Sequence, residues 1–220
     1  MTTVSVILVN FRGADDTIAA VEYLRKSNWP QEDLEIVIVE NDSGDDSLER
    51  LQTALPNEKV IDSGANLGFA GGCNFGVTHS TGDIVAFLNT DARPDENWIR
   101  AAVEAMEADS TIGCVASKVL DWEGETIDYV DGALTWFGMG YKREATQVDD
   151  GQYDTPKNVL FPTGAATFVH RWLYEELGGF DERYFMFYED VDLGWRINLA
   201  GYNVRYVPTS LAFHPPPVTM

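Results

Sequence analysis

The sequence predicts an α/β fold in which a mostly parallel, twisted sheet is flanked by helices. Short apolar runs of strand length occupy residues 4–9, 35–39, 59–61 and 84–88. Stretches with apolar residues at helical spacing separate these runs, and such alternation is typical of right-handed β-α-β units. With 220 residues, of which 45% are hydrophobic, the chain has enough apolar side chains for one core. We therefore predict a single domain.

The first two units share the order strand, loop, helix. The run at 4–9 is followed by a polar loop and a helix that is predicted to begin at Asp15 or Asp16. The run at 35–39 also ends in polar residues and precedes a short helix predicted over 47–55.

The third unit contains a glycine-rich segment. Five glycines and two asparagines lie between Asp62 and Gly76. Glycine at this density lets the backbone approach a ligand closely, and the second half of the segment is predicted to begin a helix. The segment matches neither a GxGxxG nor a P-loop pattern. After the strand at 84–88, Pro94 is predicted to open a helix that runs to about Glu107.

The second half of the chain is less regular. Residues 121–158 have no clear period, which indicates a hairpin and a mobile loop that would serve as a lid or an acceptor surface. The other predicted elements of this half are strands at 113–120, 159–161, 165–169, 204–207 and 211–213 and a helix at 171–177. The last strand would bring His214 back toward the polar edge of the sheet.

Polar residues follow each of the four N-terminal strands. Because the carboxyl ends of parallel strands meet at one edge of a sheet, and ligands bind beyond that edge, these side chains are predicted to form one site. They are Asn10 and Arg12 after the first strand, Glu40, Asn41 and Asp42 after the second, Asp62 and Asn66 after the third, and Asn89 and Asp91 after the fourth.

The segment 180–196, FDERYFMFYEDVDLGWR, sets five acidic residues among aromatic ones. Carboxylates in such surroundings are costly to desolvate unless they are paired, metal-bound or functional. Asp190 is interpreted either as the cap of the last helix or as a general base, and spacing alone favours the cap. Asp192 and Arg196 are predicted to pair on that helix, whereas Glu189 has no role from spacing. The predicted buried face of the helix is Val191, Trp195 and Leu199.

The charge balance limits the partners. The chain has 36 acidic and 15 basic side chains, a formal net charge of -21. Such a balance repels nucleic acid and anionic lipid headgroups. It indicates either simple solubility or adaptation to a high-salt cytoplasm, in which ions screen the self-repulsion.

Three further expectations concern redox state, location and metal. Cys73 and Cys114 are predicted to be two buried thiols. The chain has no apolar run of membrane-spanning length and its N-terminus does not resemble a secretion signal, so the expected location is the cytoplasm. The oxygen atoms of Asn89, Thr90 and Asp91 suit Mg²⁺ or Mn²⁺ bound to a diphosphate, although residue type alone favours a turn cap for Asp91, as Asp often has this role after a strand.

Five stretches, in this order, resemble the inverting glycosyltransferase family 2, and in particular its rhamnosyltransferase-like branch. They are VSVILVNFRG, IVIVENDSGDDS, NLGFAGGCNFG, DIVAFLNTDARPDENWI and GGFDERYFMFYEDVDLGWRINLAGYNVRYVP. The resemblance implies a GT-A fold, with a Rossmann-like nucleotide-sugar-binding half over about 1–118 and a smaller acceptor and catalytic half over about 119–220. Because relatives continue into further helices, the resemblance also implies a chain truncated at its C-terminus.

The same resemblance implies an activity. A sugar would be transferred with inversion from a nucleoside diphosphate sugar, with dTDP-rhamnose favoured by the branch, to a hydroxyl of a glycan or lipid-linked glycan. The reaction would be metal-assisted and would belong to polysaccharide biosynthesis. Peripheral association with the inner face of the membrane is compatible with such an acceptor.

The resemblance implies a role for each matching position. Asp190 matches the catalytic base, and Glu189 matches its acidic partner. Asp91 matches the carboxylate that binds the divalent metal, and His214, which as a lone histidine is more often structural, stands where some members have another metal ligand. Nucleotide-sugar contacts are implied for Asn10, Arg12, Glu40, Asn41, Asp42, Asp62, Asn66, Gly68, Asn89 and Thr90.

Two positions depart from the family pattern. Asn89 replaces a first aspartate of the metal motif, which lowers the local negative charge, and Glu40 replaces an aspartate and adds a methylene.

Two other functions are alternatives. A sugar-nucleotide pyrophosphorylase would have a glycine-rich loop directly after the first strand, which NFRGADD lacks. A non-catalytic nucleotide-sugar-binding module would not need Glu189 and Asp190.

Overall fold

The N-terminal half is a parallel sheet with a helix after each of its first three strands. The computed structural model describes residues 1–215. The elements of this half are β1 (Val4–Asn10), α1 (Ala14–Leu24), β2 (Leu34–Glu40), α2 (Ser47–Ala54), β3 (Lys59–Asp62), α3 (Gly68–Thr78) and β4 (Ile84–Leu88). The strands lie in the order β3, β2, β1, β4, and each neighbouring pair is parallel. The predicted strands and helices of this half are confirmed, with ends that differ by one or two residues.

The C-terminal half extends the same sheet and adds a separate hairpin. Its elements are β5 (Arg93–Pro94), α4 (Trp98–Ala108), β6 (Ile112–Leu120), β7 (Ile127–Tyr129), β8 (Gly132–Leu134), β9 (Gly140–Lys142), β10 (Lys157–Val159), β11 (Ala166–His170), α5 (Arg171–Glu176), α6 (Glu189–Leu199) and β12 (Asn203–Phe213). The sheet continues from β4 in the order β11, β6, β12, β10, and β8 pairs only with β9. Most paired residues in the large sheet belong to parallel pairs, so the α/β prediction is confirmed.

The direction of β11 shapes the edge where the site lies. This strand runs antiparallel between β4 and β6, with Ala166 opposite Leu88. The residues that precede β11 therefore lie beside the carboxyl end of β4. Strands β6 and β12 end at the same edge, because Leu120 pairs with Phe213. Chain segments from both halves thus meet at one end of the sheet.

Glycines let α3 pack closely on the sheet. A Cβ on Gly76 would overlap the Ile7 side chain and lie 3.1 Å from Cγ2 of Val39. A Cβ on Gly72 would overlap Val9 in the same way. The glycine-rich segment therefore brings the helix backbone close to β1 and β2, in addition to placing its N-terminus at the edge.

Several local predictions are wrong. Pro94 does not open α4 but belongs to β5, where it pairs with Ala212 of β12. The helix begins at Trp98, after a turn in which the Asp95 carboxylate accepts the Asn97 N–H at 2.9 Å. The two predicted final strands are one strand, β12, with an irregular register between Val207 and Leu211.

The predicted buried face of α6 is also wrong. Trp195 and Leu199 are exposed, and the buried residues of this helix are Glu189, Leu193, Gly194 and Ile197. The reason is that the backbone of α6 approaches Phe161 closely at Gly194, where a Cβ would overlap the Phe161 backbone. The glycine side of the helix therefore faces inward. The Asp192–Arg196 pair is confirmed, with oxygen and nitrogen 2.6 Å apart.

The structure also describes the state of the two cysteines and the length and polarity of the helices. Cys73 and Cys114 are both free and buried, as predicted. Within residues 1–215, every helix is too short or too polar to cross a bilayer.

Candidate active site

A cleft of about 360 Å³ opens at the shared edge of the sheet. Its walls come from the end of β4, from residues 163–165 before β11, from the start of α6 and from the hairpin. The lining residues are Phe69, Asn89, Asp128, Lys142, Thr163, Gly164, Ala165, Met186, Phe187, Tyr188, Glu189, Asp190 and His214. The structure therefore brings four of the predicted site residues, Asn89, Glu189, Asp190 and His214, to one cleft, and their roles stay predictions.

Asp190 is held by two backbone groups. Its Oδ2 accepts the N–H of Gly164 at 2.8 Å, and its Oδ1 accepts the N–H of Val191 at 2.8 Å. Burial raises the pKa of Asp190 above its ordinary value, although these two N–H groups oppose the shift. The residue is not the helix cap, because α6 already begins at Glu189 and the flanking residue is Tyr188, with a left-handed φ of 73°. A carboxylate fixed in this way presents the remaining lone pairs of its oxygens to the cleft.

Glu189 is a second carboxyl group in the same wall. Only 4% of the residue is exposed, and its Oε2 has no hydrogen-bond partner among the described residues. Burial, and then the neighbouring charge of Asp190, raise the pKa of Glu189 to about 7. Two adjacent carboxyl groups in a partly dry site resist double ionisation, which is why the charge of Asp190 adds to the rise in the pKa of Glu189.

Gly164 lies between these two carboxyl groups. A Cβ at this position would stand 3.3 Å from Oε1 of Glu189 and 3.7 Å from Oδ2 of Asp190. The glycine therefore leaves room for both side chains and supplies an N–H to one of them. Sequence reasoning missed it, because only the antiparallel pairing of β11 places residues 163–165 next to α6.

Asp91 and His214 meet on one side of the cleft. Oδ1 of Asp91 is 3.2 Å from Nε2 of His214, and Nδ2 of Asn89 is 3.1 Å from the same nitrogen. Burial opposes ionisation of Asp91, but the hydrogen bond and charge of His214 outweigh burial and hold the pKa of Asp91 below its ordinary value. Within the described part of the chain, no three His, Cys, Asp or Glu side chains gather as a metal site. The protein thus offers one carboxylate and one imidazole here, a donor set that suits Mn²⁺ or Mg²⁺ when a substrate supplies further oxygens.

The ends of β1 and β2 form a buried polar network. Glu40 is buried, and its two oxygens accept the N–H of Ser43 at 3.0 Å and the N–H of Asp42 at 3.1 Å. The Ser43 hydroxyl accepts the N–H of Arg12 at 2.9 Å, and Nδ2 of Asn10 lies 3.3 Å from it. Ser43 was missed by sequence reasoning, because a serine in a polar loop gives no signal until its loop folds back.

The glycine-rich segment is tied to β2 and to the segment before α6. Nδ2 of Asn41 donates to the Gly68 carbonyl at 3.1 Å and to Oδ1 of Asn66 at 3.2 Å. Gly68 has a φ of 71°, and a Cβ there would overlap the backbone and ring of Phe185. Asp62 remains exposed and accepts the N–H of Gly64 at 2.8 Å.

The remaining donor-side residues also lie at this edge. Asp42 is exposed, with a left-handed φ of 56°. Thr90 is half-buried close to the end of β1, since a Cβ on Gly13 would be 3.9 Å from its Oγ1. The ten residues implied as nucleotide-sugar contacts therefore follow the carboxyl ends of the four parallel strands, and their binding roles stay predictions.

Lys142 and Asp128 are functional candidates that the sequence did not reveal. Nζ of Lys142 lies 2.7 Å from Oδ2 of Asp128, and both side chains line the cleft. The charge of Lys142 also opposes the rise in the pKa of Asp190. Both residues belong to a region without a clear period, so the register of β9 had no sequence signal.

Two solved structures superpose on almost the whole of this chain. GalNAc-T7 with UDP, GalNAc and Mn²⁺ superposes with a TM-score of 0.80 at 20% identity, over 98% of this chain and 44% of that chain. The mannosyltransferase PcManGT from Pyrobaculum calidifontis, in complex with GDP-Man and Mn²⁺, superposes with a TM-score of 0.72 at 19% identity, over 99% and 58%. The fold is that of GT-A glycosyltransferases, as the resemblance implied.

Sequence comparison narrows the assignment from the fold to a family. Residues 5–178 match the family model of glycosyl transferase family 2, and the chain belongs to that family. An N-acetylglucosaminyl-diphospho-decaprenol L-rhamnosyltransferase of Mycobacterium tuberculosis is 26% identical over 81% of this chain. The low-salt glycan biosynthesis hexosyltransferase Agl10 of Haloferax volcanii is 24% identical over 97% of it. The predicted family and its rhamnosyltransferase-like character are confirmed, and the chain spans 66% of the Mycobacterium relative and 67% of the Haloferax relative.

Proposed function

We propose that the protein transfers a sugar, with inversion, from a nucleoside diphosphate sugar to a hydroxyl of a glycan or lipid-linked glycan. The observation that supports this most directly is the position of Asp190, whose carboxylate is fixed by the N–H of Gly164 inside a cleft at the carboxyl edge of the parallel strands. The relatives named as a rhamnosyltransferase and a hexosyltransferase agree with this reaction type. By the same similarity, dTDP-rhamnose is the proposed first donor to test.

In this proposal Asp190 accepts the proton of the attacking acceptor hydroxyl. The hydroxyl oxygen forms the new bond to the anomeric carbon while the bond to the diphosphate breaks, and one displacement inverts the configuration. Burial raises the pKa of Asp190, so its carboxylate is a stronger base and holds the proton that it receives more tightly. Glu189, in its protonated form, keeps a second negative charge away from the base.

We assign donor binding to residues of the 1–118 half and acceptor binding to the 119–220 half, of which residues 216–220 lie outside the described structure. The nucleotide would lie across the ends of β1 to β4, near Asn10, Glu40 and Asn41. The acceptor would enter beside Lys142 and Asp128, which line the cleft and belong to the C-terminal half.

A divalent cation fits the pair formed by Asp91 and His214. These two side chains would hold Mn²⁺ or Mg²⁺ together with oxygens of the donor diphosphate, and both solved neighbours named above contain Mn²⁺. When bound, the ion would stabilise the charge that develops on the leaving diphosphate. The proposed location is the cytoplasm or the inner face of the membrane.

A screen of nucleotide sugars by thermal unfolding, with and without Mn²⁺, tests the donor assignment. A donor that binds the folded state raises the unfolding temperature, and Asp91→Ala is expected to abolish the additional shift that Mn²⁺ gives. The subsequent measurement is release of nucleoside diphosphate in the presence of acceptor. A pyrophosphorylase would instead form nucleoside triphosphate when pyrophosphate is added, and a binding module would release no product; either result contradicts the proposal.

A further inference from the structure

The tip of the β8–β9 hairpin exposes an unusual number of large apolar side chains. Trp136 is 93% exposed, and Phe137, Met139 and Tyr141 are exposed beside it. The turn is ordered by hydrogen bonds, because Thr135 and Met139 exchange two of them, at 2.8 and 2.9 Å. The rings of Trp136 and Phe137 meet edge to face, with centroids 5.3 Å apart. The fold therefore holds these side chains outward instead of burying them.

A second exposed apolar segment lies next to the hairpin. Phe185, Met186 and Phe187 precede α6, and Phe187 is 74% exposed. Phe185, Phe187 and Tyr188 all have left-handed φ angles between 55° and 73°, a conformation that is unfavourable for bulky residues. This segment is in contact with β9, because a Cβ on Gly140 would lie 3.5 Å from the Tyr188 ring.

Gly140, which follows Met139, approaches Tyr188, which follows Phe187, so the hairpin tip and the segment before α6 are neighbours beside the cleft. We call their apolar side chains the apolar rim, and define it as Trp136, Phe137 and Met139 of the hairpin with Met186 and Phe187 of the segment before α6. Met186 and Phe187 also line the cleft that contains Asp190. The rim is therefore continuous with the candidate active site, and whatever covers the rim lies at the entrance for the acceptor.

The shape of the rim indicates what covers it. Trp136 stands on a convex turn, and a side chain that is 93% exposed has almost no walls around it that would enclose a peptide or a single hydrocarbon chain. A convex group of Trp, Phe and Met side chains is suited instead to the interfacial region of a bilayer, where aromatic side chains are favoured.

The charge around the rim points the same way. Lys142 pairs with Asp128, while Arg143 and Lys157 share Asp131. These three cations are balanced by Asp128, Asp131 and the half-buried Glu144 that follows Arg143, whereas the whole chain has a formal charge of -21. Acidic faces of the protein are repelled by anionic headgroups, so a face on which the charges cancel opposes the approach to a membrane least.

We propose that the apolar rim inserts into the interfacial region of a lipid bilayer and holds the mouth of the cleft against the membrane surface. Insertion of the apolar rim does not depend on the proposed function. Delivery of a lipid-linked acceptor to Asp190 by this insertion rests on the proposed function. Salt should preserve or strengthen such binding, because ions screen the repulsion of the acidic faces but leave the apolar contribution.

Flotation with phosphatidylcholine vesicles, with and without phosphatidylglycerol, tests the insertion at low and high KCl. We expect the wild-type chain to float with the vesicles, and the double variant Trp136→Ser/Phe137→Ser to bind at least about 10-fold more weakly, since two exposed aromatic side chains no longer leave water. The control is Leu199→Ser, which removes another exposed apolar side chain, at the end of α6, and should bind like wild type. Equal binding of all three proteins, loss of binding at high KCl, or no wild-type binding would each overturn the proposal.

Two further measurements distinguish membrane insertion from misfolding of the variant and from self-association. The double variant should keep the wild-type unfolding temperature and the wild-type rate of nucleoside diphosphate release with a water-soluble acceptor, because the substituted side chains are exposed and outside the cleft. If neither the wild-type protein nor the double variant releases nucleoside diphosphate but vesicle binding still depends on Trp136, the proposed function is wrong and membrane insertion of the apolar rim is supported. If sedimentation shows a wild-type dimer that the double variant loses, the rim is a contact between copies and the membrane assignment is wrong.

Discussion

Substitution of Asp190 by Asn tests the proposed base most directly. The replacement keeps the shape of the side chain but removes its ability to accept a proton. General-base catalysis typically contributes about 10²–10⁴-fold, so turnover should fall by that factor, which corresponds to about 3–5 kcal/mol in the activation barrier. Nucleoside diphosphate release at saturating donor and acceptor is the assay.

The fold should tolerate this change. Asp190 accepts two N–H groups, from Gly164 and Val191, and the amide oxygen of Asn accepts only one of them while its NH₂ faces the other. The lost hydrogen bond destabilises the protein by about 1 kcal/mol, and removal of a buried charge partly offsets this loss. The affinity for the donor, measured by calorimetry, should change by less than about 3-fold, since an interaction made only in the transition state affects turnover and not ground-state binding.

The matched control is Asp192→Asn, two residues along the same helix. Asp192 pairs with Arg196 at 2.6 Å, and Arg196 also donates to the Leu177 and Gly179 carbonyls at 3.0 and 2.9 Å. Loss of this partly exposed pair should lower the free energy of unfolding by about 1 kcal/mol or less and leave turnover nearly unchanged. Wild-type turnover in Asp190→Asn, or an equal loss in a folded Asp192→Asn protein, would refute the assignment of the base.

Three other predictions concern stability. The pKa of Glu189 is raised from its ordinary value of 4.5 to about 7, so the folded state binds its proton more tightly than the unfolded state, and stability should fall as pH rises from about 4.5 to about 7. Urea unfolding at pH 5 and pH 8 should show Glu189→Gln gaining about 2–3 kcal/mol relative to wild type at the higher pH; parallel behaviour of the two proteins would contradict this. Gly76→Ala should destabilise the protein by about 1–3 kcal/mol despite the better helix propensity of alanine, because its Cβ would overlap Ile7. Thr78→Ala, at the exposed last residue of α3, is the control and is expected to lose about 1 kcal/mol or less. Unfolding temperatures measured from low to multimolar KCl should rise if the charge of -21 reflects a high-salt cytoplasm, and a flat response would leave only solubility as the role of that charge.

The parallel half of the fold was predictable because its signals are local. A short apolar run that is followed by a polar loop and a helical pattern indicates a buried parallel strand, and the polar residues at its end then lie at the carboxyl edge. Asn10, Glu40 and Asn89 were placed correctly for this reason. Asp192 and Arg196 were paired correctly because four residues of helix bring two side chains to the same face.

The acceptor side of the site depended on contacts that no local pattern records. Gly164 reaches Asp190 because β11 runs antiparallel between β4 and β6, and Lys142 reaches the cleft because a hairpin outside the main sheet folds over α6. The orientation of α6 itself was set by the close approach of Gly194 to Phe161, which exposes Trp195 against the sequence pattern.

The sequence by itself therefore determined the family, the strand ends and the identity of the acidic residues, because apolar runs and family motifs are properties of short stretches. Only the tertiary structure decided which acid is buried beside which N–H, and that Asp190 lies inside the helix instead of capping it. It also decided that the aromatic residues of the hairpin face outward at the mouth of the cleft. These features depend on strand direction and helix rotation, which are fixed by packing between residues that are far apart in the chain.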